Sequence, residues 1–366
     1  MDNYLLVKGV QKNNKQMSFT GMYVSRRKLK SVFFTQINKL IDWGEIEVLI
    51  KKYYNKGFSV AGRPSYRGLL LFKMCLLQTW YGLSDYEVEE KVNDSLSFMQ
   101  FVGLQLEDEV PDHSVISRFR SELTKKEAFE KIFEQINGQL EGKGLIVKTG
   151  AIADATVTDS PRKPKGKTIY AIADDRKEDQ RSEEDIQEET KQKQLIKITQ
   201  PGVDVQAAWL KKAGKLHYGY KKHLCTDDAE GMITAVVTTA ANESDMHHIT
   251  DVVDKSKLAK GAKVKADKGY ASSANRQALK ERGFKDNIMH KAAKNKPLTG
   301  WQIKFNQIIS KTRYKAGRTI GSMKRWFRAA TARYIGLGKT HTQHVMEAIA
   351  YNLYRSPGIV AKNALR

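Results

Sequence analysis

The hydrophobic positions of residues 65–140 recur at the spacing of helices. After Pro64, six apolar residues follow the period of a single helix: Leu69, Leu70, Phe72, Leu76, Leu77 and Trp80. Gly82 is expected to end that helix, and Ser84 with Glu87 has the pattern of a capping box for the next one. Short helices joined by tight turns favour either a helix-turn-helix-like DNA-binding region or a plain helical bundle.

After residue 145 the hydrophobic period changes from helical to alternating. "GAIADATVTDS", "HYGYKKHLCTD", "MITAVVTTAAN" and "AKVKADKGY" alternate as strands do, and the turn "DAEG" joins the second and third into a hairpin. Helices are predicted over 272–283, 299 to about 330 and 341–358, with a short strand at "NIMHKAA". The order of these elements predicts an α/β (α+β) fold, in which helices flank a mixed sheet.

These patterns also divide the chain. We predict a helical N-terminal DNA-binding region over residues 1–140, a sheet-containing domain over 141–357 and a tail over 358–366. Residues 160–205 interrupt the sheet pattern with "DDRKEDQRSEEDIQEETKQKQ", which is charged with both signs and almost free of apolar residues. We expect this insertion to be exposed or partly helical.

Composition narrows the class of protein. The 366-residue chain is 40% hydrophobic, so it can bury a core and is not a disordered chain. Its net charge of +22 favours a nucleic-acid partner over a merely well-solvated surface. No stretch has the ~18 consecutive apolar residues of a membrane span, and the first residues lack the pattern of a signal peptide. We therefore expect a cytoplasmic protein without a membrane partner.

Two aspartates lie where strands are predicted. Asp154 interrupts an apolar strand, and Asp267 follows another strand. Each alone is more often a hydrogen-bonded structural residue, because an ionised carboxylate is costly to bury without a partner. Together, at neighbouring strand ends of a basic chain, they suit two divalent ions, Mg²⁺ or Mn²⁺, for phosphodiester chemistry.

One segment is basic and free of acids. Residues 287–346 contain no Asp or Glu and thirteen Lys or Arg. Its helical stretch "SKTRYKAGRTIGSMKRWF" and the residue after it carry six basic positions that could follow a DNA backbone: Arg313, Lys315, Arg318, Lys324, Arg325 and Arg328. A solvated helix face is the alternative, since Trp326 and Phe327 could simply anchor the helix to the core.

Several motifs resemble one family. "GRPSYRGLLLFKMCLLQTWYGLSDYEVEEKV", "PDHSVISRFRSEL", "DATVTDSP", "HYGYKKH", "NESD", "ADKGY" and "ARYIGLGKTHTQH" together resemble the DDE transposases of bacterial insertion sequences, in the IS-five group. The resemblance runs in order from about residue 60 to 357. It implies an RNase H-like catalytic domain with two Mg²⁺ ions held by Asp, Asp and Glu.

The resemblance also implies a function. A transposase of this kind binds the terminal inverted repeats of its element, cleaves the DNA and transfers the strand to target DNA. It would act as a homodimer on double-stranded DNA, in association with the bacterial nucleoid. Asp154 corresponds to the first acid and Asp267 to the second.

The third acidic position departs from the family pattern. The family's last motif reads Tyr, two residues, Arg, three residues, Glu, six residues, Lys; Arg313 and Lys324 match it, while Ser310 stands for Tyr and Gly317 for Glu. The alternative function is therefore a catalytically impaired DNA-binding relative or a decayed copy. Another acid, such as Glu347, could instead reach the site from a different helix. A different metal-dependent nuclease on the same fold is a third hypothesis.

Four further residues are expected beside the metals. Asn242 and Asp245 in "NESD" could end a strand near the ions, and Lys268 and Tyr270 directly follow the second acid. We predict that they support the acidic pair without binding the ions themselves.

Overall fold

The computed structural model describes residues 32–55, 65–166, 170–172, 195–197 and 200–365. Its N-terminal part is helical, as predicted. The helices are α1 (Val32–Leu40), α2 (Trp43–Tyr53), α3 (Gly68–Tyr81), α4 (Asp85–Asp94), α5 (Leu96–Val102), α6 (His113–Lys125) and α7 (Ala128–Gly142). Pro64 lies outside the described residues.

The ends of these helices follow the local sequence signals. Gly82 adopts the left-handed conformation (φ 65°) that ends α3, which glycine does at little cost. Ser84 and Glu87 form the predicted capping box of α4, and Asp112 caps α6. α3 is buried on nearly every side, so the other helices of the N-terminal region and the last helix of the chain pack around it.

The sheet is built from strands far apart in the sequence. Its strands are β1 (Gly150–Asp159), β4 (Ala208–Lys212), β5 (Lys215–Asp227), β6 (Ile233–Ala240), β7 (Lys263–Ala266) and β8 (Lys285–Ile288). β2 (Tyr170–Ile172) and β3 (Leu195–Lys197) form a separate two-stranded sheet. Most of the predicted charged insertion, including the acidic and basic run between β2 and β3, lies outside the described residues.

The strand order defines the fold. β6, β5 and β1 are antiparallel neighbours, and β7 and β8 continue from β1 in parallel. β4 forms a hairpin with the beginning of β5. An antiparallel hairpin beside a central strand, followed by parallel strands on its other side, is the arrangement of the RNase H-like fold, so the predicted fold class is confirmed.

Helices cover both faces of this sheet. They are α8 (Ile249–Lys255), α9 (Ser273–Glu281), α10 (Gly300–Trp326) and α11 (Leu337–Ala364). α8 and α9 pack on one face, whereas α11 packs on β6 and also contacts α3 and α7. The N-terminal helices and α11 therefore share one large hydrophobic core with β5 and β6.

Two element boundaries differ from the sequence prediction. β8 ends at Ile288, before most of the predicted strand "NIMHKAA". α11 continues through Pro357 to Ala364, so residues 358–364, predicted as a tail, are the last turns of this helix. Within the described residues, no helix is both long and apolar enough to cross a membrane.

Candidate active site

The two predicted acids are brought together by β1 and β7. Ala153 of β1 is opposite Ala266 of β7, and in each strand the next residue is the aspartate, Asp154 or Asp267. Asp154 lies in the middle of β1, at the point where its shorter parallel neighbour ends. This edge, at the carboxyl end of β7, is where ligand sites form in open α/β sheets.

Backbone amides fix both carboxylates. Asp154 Oδ1 accepts a hydrogen bond from its neighbour Ala155 N at 2.9 Å, and Asp267 Oδ1 accepts one from Lys268 N at 2.6 Å. Asp267 is thereby the cap of a single 3₁₀ turn, Lys268–Tyr270. Oδ2 of Asp154 faces the arginine nearby, whereas in Asp267 the arginine approaches Oδ1, the oxygen that also accepts from Lys268.

Arg313 of α10 lies between the two acids. Its guanidinium is 3.3 Å from Asp154 Oδ2 and 3.4 Å from Asp267 Oδ1. The side chains of Arg313, Asp154 and Asp267 are 18%, 24% and 43% exposed, so the group is partly open to solvent. Burial raises the pKa of Asp154, and the positive charge of Arg313 opposes that rise.

Gly317 lies one turn after Arg313 on α10, a helix that begins with a capping box of Thr299 and Gln302. A Cβ atom added at Gly317 would meet no heavy atom of another part of the protein within 4 Å. The position where the family has its third acid therefore has room for a larger side chain. In this chain it supplies no carboxylate.

No other acid in the described part of the chain takes that position. Among the described residues, no group of three or more His, Cys, Asp or Glu side chains is arranged to hold a metal ion. Glu347, the alternative third acid, is 2% exposed and pairs with the equally buried Lys222. Its other oxygen accepts a hydrogen bond from Gln343 Nε2 at 2.8 Å. The carboxylate of Glu347 is therefore paired with the ammonium group of Lys222 in the core and does not reach the two aspartates.

The oxygen atoms of the two aspartates determine which metal ions this site could bind. Asp154 and Asp267 offer carboxylate oxygens, which hard cations such as Mg²⁺ and Mn²⁺ prefer, so these residues fit one divalent ion. Two adjacent ions would need a further carboxylate, and Gly317 cannot provide it. Arg313 also neutralises part of the charge that would attract a cation.

The predicted DNA-binding residues have different environments. Lys315 Nζ donates to the carbonyl oxygens of Asp228 and Ala229, and Arg318 donates to that of Glu230. Arg328 donates to the carbonyl of Gly82 at 3.3 Å, and Arg325 is exposed. Burial and then the positive charge of Lys222 lower the pKa of the half-buried Lys324. Several of these side chains therefore also hold α10 against the rest of the fold, and their DNA contacts stay a prediction.

The four supporting residues divide into two groups. Tyr270 is buried, and burial followed by the charges of Asp245 and Asp154 raises its pKa. Asp245 forms an ion pair with Lys221 at 2.8 Å. By contrast, Asn242 and the side chain of Lys268 are exposed. Tyr270 and Asp245 are thus close to the acidic pair, while nothing in the described contacts connects Asn242 to it.

A line of hydrogen bonds through "GKTHTQH" was not foreseen from the sequence. It runs from Glu130 of α7 to His341 (2.6 Å), to Thr238 (2.9 Å), to His344 (2.8 Å) and to Thr158 of β1 (3.0 Å). It joins the helical region to the sheet, which gives this motif a structural role. In the sequence, the only indication of these hydrogen bonds is that His341 and His344 lie on one face of a helix.

An acidic pair at the carboxyl edge of a sheet with this strand order places the chain in the class of RNase H-like proteins. A family model described as "Transposase DDE domain" matches residues 148–353, and one described as "Transposase domain" matches residues 23–122. The chain therefore belongs to the DDE transposases of bacterial insertion sequences.

One relative in sequence supports this assignment. The "Transposase for insertion sequence element IS1106" of Neisseria meningitidis serogroup B is 38% identical over 241 residues, which is 65% of this chain and 76% of that protein. Among solved structures, the piggyBac transposase synaptic complex with hairpin DNA is 10% identical with a TM-score of 0.43, covering 90% of this chain and 76% of that one. The Mos1 mariner paired-end complex with Mn is 8% identical with a TM-score of 0.20, covering 89% of each chain.

Proposed function

We propose that this protein binds the terminal inverted repeats of an insertion sequence as the transposase of that element. The observation that carries the proposal is the pair Asp154 and Asp267 on neighbouring strands, in a chain of this family. The net charge of +22 supports a double-stranded DNA partner. We further propose that residues 1–140 contribute specific DNA contacts and dimer formation, and residues 141–357 the chemistry. The protein would act on the nucleoid, in the cytoplasm.

The proposed reaction is DNA cleavage followed by strand transfer. Asp154 and Asp267 would hold a divalent cation, Mg²⁺ or Mn²⁺, which supplies Lewis-acid stabilisation of a phosphoryl oxygen. The backbone amides of Ala155 and Lys268 orient the two carboxylates for this role. Arg313 and Lys324 would bind DNA phosphates along α10 once a DNA strand lies in the site.

The chain as it stands is proposed to bind DNA but to cleave it poorly. Gly317 supplies no third carboxylate, and the described residues bring no substitute. We therefore propose that this chain is a catalytically impaired member of the family that retains DNA binding. The open space around Gly317 indicates that a single substitution could restore the missing group.

The experiment uses the DNA that flanks the reading frame. Inverted repeats bounding it would give a labelled duplex of the element's end, and a scrambled duplex of equal length serves as the control. We expect the wild-type chain to bind the end duplex more tightly than the scrambled one at moderate salt. Equal affinity for both duplexes would contradict the proposed function.

A further inference from the structure

An aromatic cluster lies at the sheet edge that carries the acids. The rings of Trp301 and Phe305, on the first turns of α10, stack with centroids 5.3 Å apart and an angle of 23°. The ring of His290 meets both at an angle of 62°, at 5.6 Å from Trp301 and 5.3 Å from Phe305. We call these three residues the aromatic platform.

The platform is attached to the strand next to the one that ends at the second acid. His290 follows β8, whose Ile288 is opposite Ala266 of β7, the residue before Asp267. Asn306 exchanges two hydrogen bonds with the backbone of His290, at 2.8 and 3.0 Å. The strands that end at Asp267 and near His290 are therefore direct neighbours.

A second contact ties this strand end to the arginine of the site. Arg313, which bridges the two acids, also points a guanidinium nitrogen at Met289 Sδ, 3.8 Å away. Met289 directly precedes His290 in the chain. The platform and the acidic pair are thus held by the same helix and by adjacent strand ends.

The platform is exposed in a basic environment. Trp301 is 65% exposed although it stacks on Phe305, and Ile308 on the same helix face is 63% exposed. Five exposed lysines lie on the loop before α10 and on the helix itself: Lys291, Lys294, Lys296, Lys304 and Lys311. No carboxylate occurs between residues 287 and 346. An occupant of this surface should therefore combine a flat apolar face with negative charge.

We propose that Trp301, Phe305 and His290 bind an unpaired nucleobase of a DNA strand whose phosphates lie beside Asp154 and Asp267. A base has a π-face for stacking, and its phosphates complement the lysines. The surface of a second copy is less suited, because clustered lysines repel another strongly basic chain. This inference rests on the proposed function, since it places the base next to a phosphodiester held at the acidic pair.

The test compares two duplexes of one sequence, one blunt and one with an unpaired overhang carrying 2-aminopurine. The chain with Trp301→Ala should bind the overhang duplex roughly 5- to 150-fold more weakly than wild type, the usual effect of removing one stacking partner. It should bind the blunt duplex as wild type does. Quenching of 2-aminopurine fluorescence by the wild-type chain should be lost in the variant and retained in Trp301→Phe.

A matched control is available on another surface. Trp209 is 47% exposed and its ring contacts that of Tyr218 at a tilt of 53°, with centroids 5.0 Å apart. Trp209→Ala therefore removes an exposed tryptophan that contacts another ring and lies far from the platform in sequence. Trp209→Ala should keep both overhang binding and quenching. Equal losses in the two variants, or no loss in Trp301→Ala, would overturn the proposal.

Two further outcomes are informative. If wild-type protein binds the blunt duplex but shows no preference for the overhang, the platform proposal fails while the proposed function stands. If Trp301→Ala changes the molar mass in light scattering without DNA and leaves overhang binding unchanged, the platform is instead an interface between copies, which also overturns the proposal.

Discussion

Two clusters of charged side chains lie on the same face of the sheet. They differ in whether their positive and negative charges cancel and in how exposed they are to solvent. Lys222 of β5 is opposite Thr156 of β1, two residues from Asp154, so both clusters share the face toward α10 and α11. Lys222 and Glu347 are 1% and 2% exposed and balance each other. Asp154 and Asp267, by contrast, share one arginine and are partly open to solvent.

The difference separates charges that serve the fold from charges that serve a ligand. A buried pair in which each charge has one partner leaves nothing for an external ion to satisfy. Two carboxylates with one arginine keep a net negative charge, and the helix beside them has open space at Gly317. We call these the sealed pair and the open site.

The largest effect is expected from completing the open site. Gly317→Glu adds the missing carboxylate one turn from Arg313, where an added Cβ meets no clash. We expect Mn²⁺-dependent nicking of a labelled inverted-repeat duplex to rise by roughly 10³- to 10⁴-fold, because the added ligand completes the set that holds the ions. Equal activity of this variant and the wild-type chain would contradict our account of the site.

Gly321 provides the control for this substitution. It lies one turn further along α10, is exposed, and an added Cβ there also meets no other atoms within 4 Å. Gly321→Glu therefore makes the same change in charge and in helix propensity without reaching the acidic pair. It should leave nicking at the wild-type level. A rise in both variants would point to general stabilisation of the helix.

The next effect comes from breaking the sealed pair. Lys222→Met leaves the carboxylate of Glu347 buried without its cation, which should lower the free energy of unfolding by about 3–5 kcal/mol. Chemical denaturation measures this loss. The same substitution at Lys131, exposed and 3.7 Å from Glu134, should cost less than about 1 kcal/mol. Replacing both buried partners with apolar residues should recover most of the stability, and failure to recover it would show that the pair does more than balance charge.

How much of the candidate site can be predicted from the sequence depends on how far apart in the sequence the contacting residues lie. Asp154 and Asp267 could be predicted as candidates from local signals, because Asp154 interrupts an apolar strand and Asp267 directly follows an alternating one. Gly317 could be identified because the family's last motif, which Arg313 and Lys324 match, lies within one helix. The capping boxes and the glycine that ends α3 are equally local.

Long-range contacts could not be found this way. Arg313 meets Asp154 across 159 residues of sequence, and Lys222 meets Glu347 across 125. In "HYGYKKH" the two lysines resemble a solvated strand, yet both are buried. The end of α11 was missed for a related reason. Pro357 removes one backbone donor, but burial of Ile359 keeps the helix going beyond it.

A smaller effect is expected from removing the positively charged side chain of Arg313 from the open site. Arg313→Gln takes away the positive charge between Asp154 and Asp267, which should tighten Mn²⁺ binding by about tenfold, because the two carboxylates then attract the ion without competition. Titration of the free Mn²⁺ signal by electron paramagnetic resonance measures it without any reaction. Lys311→Gln removes one charge from an exposed position of the same helix and should change the affinity far less. If the two variants bind Mn²⁺ equally, Arg313 does not compete with the ion.

The last effect is of similar size and concerns stability in acid, on the buried sheet face that does not carry the sealed pair. His223, next to Lys222, is 1% exposed, and burial followed by the charge of His248 lowers its pKa to about 4. The unfolded chain binds a proton at its ordinary pKa of about 6.5, so stability is full above that pH. It falls as the pH drops from there toward 4. His223→Leu should reduce this acid-dependent loss of stability by roughly 1–3 kcal/mol, measured from urea unfolding midpoints across this pH range.

The same substitution at the exposed His247 should leave the pH dependence unchanged. An unchanged profile in His223→Leu would assign the acid sensitivity to other groups.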